Sequence, residues 1–382
     1  MDDVPIYLDN HATTRVDPRV VDAMLPYFTE IYGNAASINH KFGWDASDAV
    51  EAARAKIAAL LNTDPRNLVF TSGATESNNL ALKGVMRAAP AGSHLITAAA
   101  EHKAILDPAK RLSRGGCEVT ILPVDQYGMV DPQQVADALQ SNTVLVSIMS
   151  ANNEVGTLNP IADIAALCRE RGVHFHTDAA QSAGKVPLDL SATPIDLLSL
   201  SGHKLYAPKG IGVLFVRHGA PRIKLEPLFD GGGHERHLRS GTLPVPLIVG
   251  LGVACELCSA EMDDEAARLW ELRERLWTGL QQRLDGLQQN GHPEMRLAGN
   301  LNVSFQGVDG EALMNSVKQI AVSSGSACTS ADPQPSHVLR AIGVNDALTR
   351  ASLRFGLGRL NTAVEIDRAV DVVTDAVRRL RG

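Results

Sequence analysis

Lys204 stands in Ser201-Gly202-His203-Lys204, directly after the apolar run Ile195-Asp196-Leu197-Leu198-Ser199-Leu200. A lysine at the carboxyl end of a buried strand, flanked by small residues and a histidine, is placed where a desolvated amine can form a Schiff base. Upstream, the apolar run Val173-His174-Phe175-His176-Thr177 ends in Asp178. If the two strands are parallel neighbours, their ends put a carboxylate and an amine into one crevice. That pairing suits pyridoxal phosphate, whose ring nitrogen takes an anionic partner and whose aldehyde takes a lysine. Taken singly, Lys204 reads as a solvated loop lysine and Asp178 as a helix cap; their company favours the chemical reading.

Three further segments supply that company. Thr71-Ser72-Gly73-Ala74-Thr75-Glu76-Ser77-Asn78 lies between a strand and a helix, where small residues let backbone N–H groups approach an anion at the positive end of the helix dipole. An ordinary N-cap at Ser72 or Thr75 fits the same spacing. After the strand at 94–97 comes Ala100-Glu101-His102-Lys103-Ala104; an imidazole there can stack on a planar ring and exchange protons near neutral pH, or simply cap a helix. In Val322 to Pro333, eight of twelve positions are Ser, Gly, Ala or Thr around the single Cys328. Such a segment reads as a loop presenting a thiol rather than as a packed core. Downstream, Arg354 in a strand-like run offers a planar donor for an amino-acid carboxylate, or a partner for an internal acid.

Stepping outward, short apolar strands alternate with helical patterns from about residue 50 to 216, the rhythm of a mainly parallel α/β sheet. Helices are expected at 48–61, 76–88 and 160–171, with strands at 67–70, 94–97, 118–122, 143–149, 173–177, 195–200 and 212–216. A long helical pattern over 247–287, broken near Met262-Asp263-Asp264, leads into a smaller α+β tail with strands at 302–305 and 352–355. The expected organisation is a large domain over 15–255 and a small domain built from 1–14 and 256–382.

Composition bounds the function. With 382 residues and 45% hydrophobic content the chain can bury two cores, and a net charge of −7 without a dense basic block disfavours nucleic acid or anionic membrane as the main partner. The amino terminus lacks the basic start and apolar core of a signal peptide, and no run of about 18 apolar residues is present. A cytoplasmic protein is expected. Five cysteines at 117, 168, 255, 258 and 328 do not form a disulfide framework. Cys255-Glu256-Leu257-Cys258 reads as helical packing rather than zinc, and His234-Glu235-Arg236-His237 is a lone cluster, so no metal is expected.

In their order along the chain, these residues resemble the IscS/NifS-type cysteine desulfurases, fold-type I pyridoxal-phosphate enzymes of the class V aminotransferase group. The resemblance runs from Tyr7-Leu8-Asp9 nearly to the end. It takes in the 71–77 run, Glu101-His102-Lys103, Asn152-Asn153-Glu154-Val155-Gly156, Asp178 with Gln181, Ser201 to Lys204, Gly231 to Arg236, Arg239 to Pro244 and the long loop at 323–330. It implies a mainly parallel central sheet with helices on both faces plus a smaller α+β domain. It further implies that Lys204 is the Schiff-base lysine, Asp178 pairs with the pyridinium nitrogen, Gln181 bonds the ring hydroxyl and His102 stacks on the ring. Ala74, Thr75, Ser201 and His203 would hold the phosphate, joined by Thr242 of the partner subunit in a homodimer. Asn153 and Arg354 would orient the carboxylate of L-cysteine, and Cys328 would take the sulfur as a persulfide for a sulfur-acceptor protein.

Two departures are visible. Asn10-His11 replaces the Tyr-Ser common in housekeeping relatives, and the sequence ends at Gly382 without the extension that docks the iron–sulfur scaffold. Delivery to tRNA thiolation, another cofactor pathway or a different scaffold is therefore expected beside cluster assembly. A selenocysteine lyase or another class V enzyme would share Lys204 and Asp178 without needing Cys328, and a sulfur-relay platform would need little catalysis.

Overall fold

The computed structural model describes residues 4–219, 223–324 and 335–382. Its large sheet has seven strands: β1 Leu68–Thr71, β2 His94–Ala98, β3 Glu118–Leu122, β4 Thr143–Ser147, β5 His174–Asp178, β6 Leu197–Ser201 and β7 Gly212–Val216. They lie in the order β1-β7-β6-β5-β4-β2-β3. Only β7 runs antiparallel to its neighbours; β5 and β6 pair in parallel, with Asp178 opposite Ser199. The condition for bringing Asp178 and Lys204 together is thus met.

Successive strand residues point to opposite faces, and here both faces are apolar, as in a sheet covered by helices on each side. Leu68, Phe70, Ile96, Val146, Leu198, Leu200, Val213 and Phe215 pack into one core. Their chain neighbours Val69, Leu95, Leu145, Leu197 and Leu214 pack into the other. Helix α1, Lys41–Leu60, buries Ala46, Val50, Ala53 and Ile57, an i, i+4, i+7, i+11 stripe. It begins well before the expected Asp48 because the His40 ring accepts from the Gly43 N–H at 3.2 Å and caps the extra turns. Helices α2 (Ala74–Ala88) and α3 (Lys103–Arg114) follow β1 and β2, and their starts face the site.

A third core gathers Ile6 and Leu8 with Leu272, Leu276, Leu301, Val303, Phe355, Ile366 and Val373. Its sheet pairs Asn300–Phe305 antiparallel with Ser352–Gly356 and with Leu287–Asn290, while Ile6–Tyr7 pairs with Ile320–Ala321. Helix α4, Val245–Gln281, runs through both regions. Ile248, Leu251, Cys255 and Cys258 sit in the first core, Leu269, Leu272, Leu276 and Leu280 in the third. The expected boundary at 255 therefore falls inside this helix, and the expected break at 262–264 is absent. Asp263 and Asp264 face solvent, while Glu261 and Glu265 are taken up by Arg19 and Arg359 (2.5 and 2.8 Å), so the acidic stretch does not interrupt the helix. By length and composition α4 is the one helix among the described residues that could cross a membrane; its apolar side is the packing surface of two cores.

Candidate active site

The carboxyl ends of β1, β2, β5 and β6 open onto one crevice of about 550 Å3. This is where parallel sheets bind ligands, beside the reversal in strand order. Ala74, Thr75, His102, Asn153, Asp178, Gln181, Ser201, His203 and Lys204 all line it. Nine of the expected site residues are thus brought together from five segments.

Lys204 ends a single 3-10 turn, Gly202–Lys204, that follows β6. Its Nζ donates to the main-chain oxygen of Ala12 at 2.7 Å and to that of His11. Both of these partners are main-chain acceptors, and they aim the amine. Asp178 closes β5 and is buried. One of its oxygens accepts from Asn78 Nδ2 at 2.7 Å and the other from the Ala180 N–H at 2.9 Å. A carboxylate carries about four lone-pair sites, so acceptor capacity remains.

His102 caps α3, its Nδ1 accepting from the Ala104 N–H at 3.0 Å. Burial lowers its pKa, with Lys204 lowering and Asp178 raising it. The ring is therefore neutral and its proton sits on Nε2. Glu101 beside it is raised well above the usual carboxylate range by burial, and accepts from the Met149 N–H at 2.6 Å. His203 is pushed down to about 4 by burial and by Lys204, Lys209 and Lys185, and its Nδ1 faces Thr13 Oγ1 at 3.1 Å.

Neither Ser72 nor Thr75 caps α2. Its N-cap is Gly73 at φ 147°, with no side-chain cap bond, and Glu76 instead turns back to accept from the Ser72 N–H at 2.7 Å. A helix start without a side-chain cap leaves first-turn N–H groups for a ligand, and a phosphate is the fitting one. A Cβ built on Gly212 would lie 2.6 Å from Gly73 Cα, so only glycine lets β7 pass this close beneath the phosphate turn. Together with a strand-end amine and a buried carboxylate, this cradle fits pyridoxal phosphate.

Three expected residues stand apart. Arg354 does not line the crevice; its buried side chain pairs with Asp9 at 2.7 Å and donates to the Asn153 oxygen at 3.1 Å, so the internal acid weighed as its alternative partner is present. Thr242 is exposed and away from this chain's crevice, and Cys328 lies outside the described residues. Asn78, which anchors Asp178, was not singled out from sequence. Its signal was its place one helical turn after Ala74, on the same face.

A strand-end lysine, a buried carboxylate and a phosphate-ready helix start on a doubly covered α/β sheet define a pyridoxal-phosphate-dependent enzyme of fold type I. The chain belongs to the class V aminotransferase family, whose model, Aminotransferase class-V, matches residues 6–369. It is 56% identical over 379 residues to the cysteine desulfurase IscS of Anaeromyxobacter dehalogenans, covering 99% of this chain and 94% of that relative. Among solved structures it is similar to a NifS-like protein, with TM-score 0.92, 37% identity and coverage of 99% and 100%. Another, described as SspA in complex with cysteine, has TM-score 0.82 and 38% identity, covering 92% of this chain and 98% of that one.

Proposed function

We propose that the chain is a cysteine desulfurase that converts L-cysteine to L-alanine and takes the sulfur onto Cys328 as a persulfide. The observation that carries this reading is the convergence of Lys204, Asp178 and the uncapped start of α2 in one crevice. The likeness to a desulfurase over nearly the whole chain gives the reaction, and the neighbour solved with cysteine supports the substrate.

When bound, pyridoxal phosphate supplies an electron sink for the pair left on the substrate Cα. The protein does the rest. Asp178 would pair with the ring nitrogen and favour its protonated form; Ala74, Thr75, Ser201 and His203 would hold the phosphate, His102 would stack on the ring and Gln181 would bond its oxygen. Lys204 Nζ would take the Cα proton of the substrate and return it. Asn153 and Arg354 orient the substrate carboxylate. The Cys328 thiolate attacks the substrate sulfur: an S–S bond forms, the C–S bond breaks, and its electron pair stays with the carbon skeleton that becomes alanine. The other four cysteines are poor candidates for this role. Burial raises every one of their thiols, Cys168 to about 12, Cys258 to about 11, with Cys117 and Cys255 also shifted upward.

The chain works as a homodimer in which Thr242 of each subunit would contribute to the other's phosphate site. Persulfide sulfur passes to an acceptor protein, an iron–sulfur scaffold or a thiolation enzyme, in the cytoplasm, where unpaired thiols persist. Residues 15–255 act as the cofactor domain, with 1–14 and 256–382 as the small domain.

The test is turnover of L-cysteine with a reductant, quantifying alanine and sulfide for wild type and Cys328→Ala. Equal alanine and sulfide, lost in the variant while the visible cofactor absorbance remains, is expected. Undiminished turnover by the variant would point to a lyase, and a wild type without the chromophore to a sulfur-relay platform.

A further inference from the structure

Gln181 lines the crevice, and its hydrogen-bond partners His11 and Lys185 line a second cavity together with Tyr206 and Glu265. The chemistry of its neighbours fixes which way its amide points. The main-chain oxygen of His11 only accepts, and it lies 2.9 Å from one end of the amide, so that end is Nε2. The Lys185 ammonium only donates, and it lies 3.4 Å from the other end, which is therefore Oε1. His11 Nδ1 faces the same Oε1 at 3.0 Å and so must carry the ring proton. Consistent with that tautomer, the buried His11 Nε2 finds no hydrogen-bond partner. Burial, then the charges of Lys185, Arg354 and Lys204, hold this imidazole neutral; Lys185 is pushed down to about 8 by burial and faces Glu265, Cys258 and Arg354.

Both lone pairs of Oε1 are thus engaged from behind, and one Nε2 hydrogen is spent on the His11 carbonyl. What Gln181 has left is a single N–H. We infer that His11 and Lys185 are positioning residues that lock the Gln181 amide so that it presents an N–H donor, and never its carbonyl, to the ring oxygen of the bound cofactor. This rests on the reading that Lys204 carries pyridoxal phosphate with its ring oxygen toward Gln181. A donor at that oxygen favours its anionic form and draws charge from it. The nitrogen linking cofactor to Lys204 then holds its proton less tightly, and the visible chromophore titrates at lower pH.

The experiment titrates the visible absorbance of purified holoenzyme against pH, without substrate, for wild type, His11→Leu, His11→Asn and Lys185→Met. Loss of one such hydrogen bond is expected to raise the midpoint in the Leu and Met variants by about fivefold in proton concentration. His11→Asn, whose side-chain N–H takes the place of Nδ1, is expected to stay within about twofold of wild type. Unchanged midpoints in the Leu and Met variants, or an Asn variant displaced as far as Leu, overturn the inference. If His11→Leu does not fold, Lys185→Met decides by the same criterion. A wild type with no chromophore would instead defeat the functional reading itself.

Discussion

Lys204 and Arg354 are both basic residues, and their partners differ in a way that assigns their work. Lys204 donates to the main-chain oxygens of His11 and Ala12, which aim its nitrogen. Borohydride reduction of the holoenzyme should fix the cofactor's mass onto the peptide containing Lys204 and onto none in Lys204→Ala; label elsewhere would refute the assignment. Arg354 already spends donors on Asp9 and Asn153, but a guanidinium has five N–H groups, which leaves three. Arg354→Lys keeps the charge and loses the fork. It should lower kcat/KM for L-cysteine by on the order of a hundredfold, chiefly through KM, and a change within twofold would remove Arg354 from substrate binding. Glu154, next to Asn153, is buried, and burial pushes it up to about 7 against the opposing pull of Ser336, Arg354 and Lys103. Its folded pKa lies above the unfolded one, so the folded state binds the proton more tightly. Stability is then fullest below the unfolded value of about 4.3 and declines as pH rises through about 7. Relative to Glu154→Gln, the wild type should lose roughly 3 kcal/mol between pH 4 and 8 by denaturant titration; a pH-independent difference would contradict this.

Among elements, the contact of β7 with the start of α2 decides the phosphate turn. Gly212→Ala would drive a methyl against Gly73 Cα, and the turn must shift by more than an ångström. Cofactor affinity, read by fluorescence during cofactor addition to apoprotein, should fall at least tenfold, about 1.4 kcal/mol; full-strength binding would show the turn to be compliant. The joint between the cores is ionic. Arg359 donates to Glu265 at 2.8 Å and Asp17 at 2.9 Å, and its guanidinium lies 4.4 Å from the centre of the Tyr206 ring, so α4, the segment before the first helix and the loop after the Ser352–Gly356 strand meet at one side chain. Arg359→Met leaves Asp17 with Arg19 and Glu265 with the Tyr206 hydroxyl as remaining partners, and should cost about 1.5–3 kcal/mol in denaturant unfolding. Arg19, and after it Arg359, hold Asp17 well below the usual carboxylate range. Its contribution is therefore present above the unfolded value and is lost only as pH falls through the depressed one.

On the scale of the whole molecule, the surface around α1 calls for a partner. Phe28, Tyr32, Ile38, Phe42 and Trp44 are each more than half exposed. They form one patch, for the Tyr32 and Phe42 rings are 5.4 Å apart and Trp44 Nε1 donates to the Ile38 oxygen at 2.8 Å. Exposed apolar surface of this kind marks an interface. Trp44→Asp combined with Ile38→Asp should turn a dimer into a monomer by light scattering, and should weaken cofactor binding if Thr242 acts across the subunits; an unchanged mass would place the interface elsewhere. Much of this molecule could be read from the chain alone, because the information is local. Both-face apolar runs announce a covered parallel sheet, and Gly73-Ala74, Asp178 and Lys204 announce their chemistry by standing just past strand ends. Other features were settled only by folding. Spacing along the chain does not say that Asn78 reaches Asp178, that Asp9 waits for Arg354, or that His11 and Lys185 close on Gln181. Nor could the acidic stretch at 261–265 be recognised as helix while its arginine partners, Arg19 and Arg359, lay far off in sequence. Periodicity records which face of an element is buried; the identity of the group on the other side of that contact exists only once distant segments have been packed together.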